Sequence, residues 1–279
     1  MISIVCLNIA ARKFLGNSSN LTTYPKRGRG RKYTIEKVFS PSIAGENRSY
    51  ALPPEQAFIL DLAISLEYSG REEFTALDVL ALAKGQEHVT KSAFRSDTIR
   101  AIEDGLLSLR NISIIVRRRG ESGEIAKGYV LPIFKKSVEE VKLRDGAYSL
   151  ITWSFASDSP SVLLSEAERL KGLITYPLEA MDISRVNGLK NGALKKWLLD
   201  TVYIGAAQKG KYRKRGCRIE LKYLEATFGA VTPMQRKRLK ALVFRLLDSI
   251  SSAPSSPLSA YTLTGKTKES INLKFKGGK

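Results

Sequence analysis

The chain has 279 residues, 43% of them hydrophobic, and a formal net charge of +19. That is enough apolar content for two ordinary domains, and more positive charge than solubility alone calls for. Two cysteines, Cys6 and Cys217, and a single histidine, His88, exclude a Cys/His zinc site and fit a reducing compartment.

The charge is segregated. Residues 190–279 hold 20 Lys+Arg against 5 Asp+Glu and the first forty hold 8 against 1, whereas residues 41–189 hold 18 against 21. Phosphate polyanions reward clustered Lys and Arg through counterion release, which makes nucleic acid the first partner to consider; a well-solvated basic face is the plainer alternative. The apolar run Ile2 to Ala11 is followed by Arg12 and Lys13, the reverse of a secretory signal, and is too short to span a bilayer. The expectation is a cytoplasmic protein with no membrane partner.

Residues 1–50 read as a flexible basic arm containing Pro25-Lys26-Arg27-Gly28-Arg29-Gly30-Arg31-Lys32, which has no apolar face to bury. Leu52-Pro53-Pro54-Glu55 opens a helix with Phe58, Leu62 and Leu66 at every fourth position, ended by Tyr68-Ser69-Gly70. A short helix follows from Thr75 to Lys84-Gly85, and a third from about Ser92 to Leu109 with Ile99, Ile102, Leu106 and Leu109 on one side. Strands are expected over 112–116 and 129–134, with the turn at Gly120-Glu121-Ser122-Gly123, and a further strand over 147–155. Ser157 to Ser161 reads as a linker.

The order then repeats. A helix over 191–206 leads through the basic loop 209–216 to a strand at 218–221 and a short helix over 222–228 closed by Gly229. Thr232-Pro233 caps the next helix, whose core face is Leu239, Leu242, Val243, Leu246, Leu247 and Ile250. A Ser/Pro loop and a hairpin, 261–263 with 271–275, complete the chain. Helix, helix, helix, hairpin is the winged-helix pattern. The expected class is α+β, mainly helical: two winged-helix domains in tandem, 51–156 for dimerisation and secondary DNA contact and 157–279 for principal DNA binding, preceded by the arm.

The helix from Pro233 is the first candidate for reading DNA. Gln235 and Arg236 occupy its first turn, Lys237, Lys240, Ala241 and Phe244 point away from the core, and Arg238 and Arg245 flank that outer face. Lys266 and Lys268 lie at the tip of the second hairpin, where a wing positions the protein along phosphate. The loop bearing Lys211, Arg213, Lys214 and Arg215 tracks a backbone or is simply solvated. Arg27, Arg29 and Arg31 resemble an AT-hook, with Gly30 in place of the usual proline; binding of RNA competes with a minor-groove reading. In the first domain Lys91, Arg95, Arg100, Arg117, Arg118 and Arg119 are lesser candidates.

Catalysis finds little in the chain. A lone His88 rules out a two-histidine metal site, no Gly-x-x-x-x-Gly-Lys-Ser/Thr is present, and Asp200, Glu220, Glu225, Asp248 and Glu269 are scattered. Arg185, Lys195 and Tyr212 read as ordinary surface positions. No cofactor, metal or enzymatic activity is expected.

Tandem winged-helix units with Pro233-Met234-Gln235-Arg236-Lys237-Arg238-Leu239-Lys240 in the second resemble the replication initiator proteins of iteron-type plasmids, as do the patterns Leu52-Pro53-Pro54-Glu55, Ile219-Glu220-Leu221-Lys222-Tyr223-Leu224 and Leu246-Leu247-Asp248-Ser249-Ile250. The resemblance implies a protein that binds double-stranded DNA repeats at an origin and recruits host replication proteins. It implies that the second unit grips most tightly, through Gln235 to Lys240, and that the first forms a homodimer and adds contacts around Lys91 to Arg100. A transcriptional regulator or segregation adaptor, and a non-specific single-strand or RNA binder, are the alternatives.

Overall fold

Proline at the first helical position and an acid in the first turn start helix α1 (Pro54–Tyr68) where expected. The computed structural model describes residues 3–6, 34–41, 52–89, 96–119, 125–134, 140–142, 149–156, 174–183, 186–207, 217–265 and 269–276. Among them the chain forms six α-helices and small antiparallel sheets of two or three strands.

Helix α1 is apolar on nearly every side, Phe58 to Leu66 being buried except Asp61, because it packs against helices α2 (Ala76–Ala83) and α3 (Ser96–Arg110) and against strand β1 (Ser3–Cys6). Thr75 and Asp78 form a capping box at the start of α2. Gly85, at φ +74°, ends the turn after α2 so close to the chain that a Cβ there would lie 2.5 Å from the backbone nitrogen of Asp182. On α3, Ile99, Ile102, Leu106 and Leu109 are buried as the period predicts.

The N-terminal segment departs from the arm reading. Strand β1 pairs antiparallel with β9 (Ile174–Pro177), and its Ile4 and Val5 are fully buried. Strand β2 (Thr34–Pro41) forms an edge of the sheet β2-β4-β5, with β4 (Ile112–Arg119) central and β5 (Ile125–Pro132) on the far side. Both strands were hidden because each takes its partner from far along the chain, which local pattern cannot reveal. The expected 147–155 strand is two pieces, β7 (Ser149–Ile151) beside β6 (Glu140–Lys142), and β8 (Trp153–Ser154) beside β3 (Glu73–Phe74). The break lets Trp153 and Phe155 join Phe74 and Phe134 in an aromatic cluster with centroids 5.1–6.1 Å apart. The turn at 120–123 and the linker at 157–161 lie outside the described residues.

In the second half, helix α4 (Leu189–Ala207) is buried over most of its length. It is followed by β10 (Cys217–Glu220), α5 (Leu221–Thr227), α6 (Pro233–Ser252), β11 (Leu258–Thr264) and β12 (Ser270–Phe275). The last three strands make one antiparallel sheet in the order β10-β12-β11, so β10 extends the expected hairpin. Gly205 admits this sheet: a Cβ there would stand 2.4 Å from the Phe275 ring.

Helices α1 and α4 bring the halves together, and Gly192 of α4 lies against the Phe58 ring. Lys196 is buried at this junction, donating to Asp200 Oδ2 at 2.8 Å and Asp61 Oδ2 at 3.1 Å, while Tyr176 donates to Asp200 Oδ1 at 2.9 Å. Burial pushes the Asp200 carboxyl above its ordinary range, opposed by the Lys196 ammonium. Its neighbour Lys195, expected at the surface, is only 3% exposed. It donates to the carbonyls of Met181 and, at 3.4 Å, Ala83, joining the end of α2 to the 3-10 turn Leu178–Asp182. The apolar period of α4 has room for two lysines because carbonyls and carboxylates meet their charges. Burial, with Lys84 nearby, pulls the Lys195 ammonium down to about 8, against Asp182, which raises it.

Candidate nucleic-acid interface

Two side chains fix where α6 begins. Thr232 Oγ1 accepts the Gln235 amide at 3.2 Å, and Gln235 Oε1 accepts the amides of Thr232 at 2.9 Å and Val231 at 3.0 Å. Pro233 lacks the amide hydrogen that would have had no partner. With its end satisfied in this way, the first turn stands clear of the body: every residue from Val231 to Arg238 is exposed.

Beyond that turn the helix divides as its sequence predicts. Val243, Leu246, Leu247 and Ile250 are buried, and Leu239 and Leu242 are packed partly against the same core. Met234, Arg238, Ala241 and Arg245, at i, i+4, i+7 and i+11, are all exposed and form one line opposite the core, with Lys237 beside it.

The flanks differ from expectation. Arg236 is drawn back toward α5, its Nε 3.5 Å from Glu225 Oε2 and 3.4 Å from the Ala230 carbonyl. Phe244 does not point away: its ring stacks on Tyr261 of β11, with centroids 6.0 Å apart and planes 10° apart, because the hairpin covers that side of the helix. Lys240 Nζ sits 5.8 Å from the Phe244 centroid, a cation over an aromatic face. Tyr261 also donates to Asp248 Oδ1 at 2.7 Å, so hairpin and helix are joined at two points. Burial and the Asp248 carboxylate push the Tyr261 phenol up to about 12.

On the other side of the outward line lies an open groove of about 320 Å³ between α6 and the start of α4. Gln235, Arg238 and Arg245 line it from α6, and Lys190 and Asn191 from α4. Three cations facing one groove make a seat for phosphate oxygens, which Lys and Arg bind with charge-assisted hydrogen bonds.

Of the remaining candidates, none among the described residues lines this groove. Lys266 and Lys268, Lys211, Arg213, Lys214 and Arg215, Arg27, Arg29 and Arg31, and Lys91 and Arg95 lie outside the described residues, as do Arg185 and Tyr212. Arg100 is exposed on α3. Arg117, Arg118 and Arg119 take the last positions of β4, in register with Glu36, Ile35 and Thr34 of β2. Among the described residues, no group of three His, Cys, Asp or Glu side chains is placed to hold a metal ion, and no helix is long and apolar enough to cross a membrane.

No protein-family model and no curated protein matches the chain. Two solved structures of domains 2 and 3 of RctB are similar to it: one a selenomethionine derivative at TM-score 0.44, covering 96% of this chain and 99% of that one, the other at 0.46, covering 95% and 96%. Both are 12% identical to this chain.

Sequence reasoning missed Lys190 and Asn191 as lining of this groove and Met234 as the head of the outward line. Lys190 was legible as the start of the basic third, but its place opposite Arg238 depends on how α4 meets α6. The capping role of Gln235 was open to reading, because Thr-x-x-Gln is a capping-box spacing.

Proposed function

We propose that the chain is a sequence-specific double-stranded DNA-binding protein, acting as a replication initiator without catalysing a reaction. The observation that carries the DNA reading is the outward face of α6: Met234, Arg238, Ala241 and Arg245 stand in one exposed line, with Lys237 beside it and Lys190 across the groove. A helix braced from behind and projecting by its N-terminal turns suits a major groove about 12 Å wide. The run α4-β10-α5-α6-β11-β12, with the sheet order β10-β12-β11, supports a winged-helix reading of the second half. In that reading β11 and β12 are the wing. The order α1-α2-α3-β4-β5 supports a similar reading of the first half, proposed as the homodimer surface and the lesser DNA contact.

The initiator assignment rests on the resemblance to iteron-type initiators: origin repeats would be bound in series and host replication proteins recruited to them, in the cytoplasm. Selection of bound duplexes from a random pool and fragments of the source genome, at roughly physiological salt, tests it, because such salt suppresses non-specific phosphate binding. Direct repeats near the protein's own gene are the expected result. A lone palindrome would favour a regulator or segregation adaptor instead. Retention without a motif would mean a general nucleic-acid binder.

A further inference from the structure

Base readout by a helix needs side chains that are both exposed and uncommitted, and the first turn of α6 has fewer of these than its sequence suggests. Gln normally identifies adenine by a bidentate contact, its carbonyl accepting from one base atom and its amide group donating to another. Gln235 cannot do this while the helix is capped, because both lone pairs of Oε1 already accept backbone amides, those of Val231 and Thr232. Only its amide hydrogens remain for an outside partner. Arg236 is turned toward Glu225 and the Ala230 carbonyl.

What the turn does present is apolar. Met234 is 59% exposed and Val231 73%, among the few large hydrophobic side chains left open to solvent in the described residues. Met234 stands at the head of the outward line, and Ala241, two turns on, is the other apolar member of it. The basic Arg238 lies between them and Arg245 follows, so the line runs apolar, basic, apolar, basic over about 16 Å at 1.5 Å per residue. An apolar protein partner would be poorly served by a strip interrupted by arginines. Duplex DNA is well served, since phosphates meet the cations and the floor of the major groove carries one apolar feature, the C5-methyl of thymine.

We propose that Met234, with Ala241, recognises thymine methyl groups in the major groove, and that Gln235 acts there only as a hydrogen-bond donor. The inference rests on the duplex-binding reading above and adds a base preference to it. The same methyl distinguishes DNA from RNA, in which uracil lacks it, so the outward face of α6 would discriminate against RNA even where the sequence matches.

The test uses the full chain and the duplexes that it selects from a random pool, with each thymine replaced in turn by deoxyuridine. This removes one methyl and leaves every hydrogen-bonding group in place. Affinity is expected to fall roughly three- to tenfold at one or two positions, the range for losing a buried methyl contact. Met234→Ala is expected to bind the thymine and deoxyuridine duplexes equally at one of those positions; the side chain is exposed and packs in no core, and circular dichroism checks that the fold is kept. A selected motif bound equally well with deoxyuridine throughout would overturn the thymine reading and leave duplex recognition standing. Sensitivity that persists unchanged in Met234→Ala would overturn the assignment to Met234. If no duplex motif is selected at all, the sequence-specific reading fails and this inference fails with it.

Discussion

Thr232 and Gln235 cap one another across the first turn of α6: the Gln235 amide donates to Thr232 Oγ1 at 3.2 Å and the Thr232 amide to Gln235 Oε1 at 2.9 Å. The same turn faces solvent, so its order is set by these bonds and not by packing. Thr232→Ala is expected to lower unfolding stability by about 1 kcal/mol in urea titrations. Gln235→Glu keeps an acceptor at the third position, so stability should change by less than about 0.5 kcal/mol, while its negative charge weakens duplex binding. Equal binding by Gln235→Glu and the parent chain would place DNA away from this turn.

Arg236 and Arg238 are two residues apart and differ in what they already hold. Because Glu225 and the Ala230 carbonyl engage Arg236, its replacement by alanine should reduce duplex affinity less than Arg238→Ala, which is expected to cost about 1–3 kcal/mol. Titrations of the two single variants against one duplex check the ranking. A larger loss for Arg236→Ala would mean that the Glu225 contact breaks on binding.

Helix periods and caps were legible because they are local. The core face of α6, the Thr75 and Thr232 caps and the buried side of α3 all follow from spacing within a few turns. Strands β1 and β2 were not legible, since β1 is defined by β9 and β2 by β4, far along the chain. The site divides in the same way. The outward position of Arg238 and Arg245 could be read from the period, whereas the loss of Phe244 to the Tyr261 stack and the gain of Lys190 depend on how elements meet. Lys195 was misread as a surface position for a related reason: its buried partners, Met181 and Ala83, come from other elements.

Gly85 and Gly70 share a left-handed backbone, at φ +74° and +85°, but not their surroundings. A Cβ at Gly70 meets nothing within 4 Å, so Gly70→Ala should cost only the conformational penalty, about 1 kcal/mol. At Gly85 the added carbon would also collide with the Asp182 backbone, so Gly85→Ala should cost clearly more. Thermal unfolding of the two variants gives the comparison, and equal shifts would contradict the close approach.

Lys195 ties stability to pH in the alkaline direction. Its folded-state value of about 8 lies below the ordinary 10.5, so between these values the unfolded chain holds more protons and stability rises with pH. The full rise is on the order of 3 kcal/mol, and the part between pH 7.5 and 9.5 precedes ordinary tyrosine ionisation. Lys195→Met should remove that rise in urea unfolding series. A parent chain whose stability is flat or falls over this interval would contradict the buried, charge-strained lysine.

The most direct test of the central claim is the salt dependence of duplex binding by Arg238→Ala/Arg245→Ala, set against Lys274→Ala/Lys276→Ala as a charge-matched control. Both lie at the base of the hairpin, away from its tip: Lys274 is in register with Ala260, and Lys276 donates to the carbonyls of Ala253 and Pro254 at the far end of α6. If α6 lies in the groove, the first pair should lose most specific affinity and lower the slope of log K against log salt by about 2, while the control changes little. Equal losses in both pairs would show that bulk charge, and not this helix face, holds the DNA.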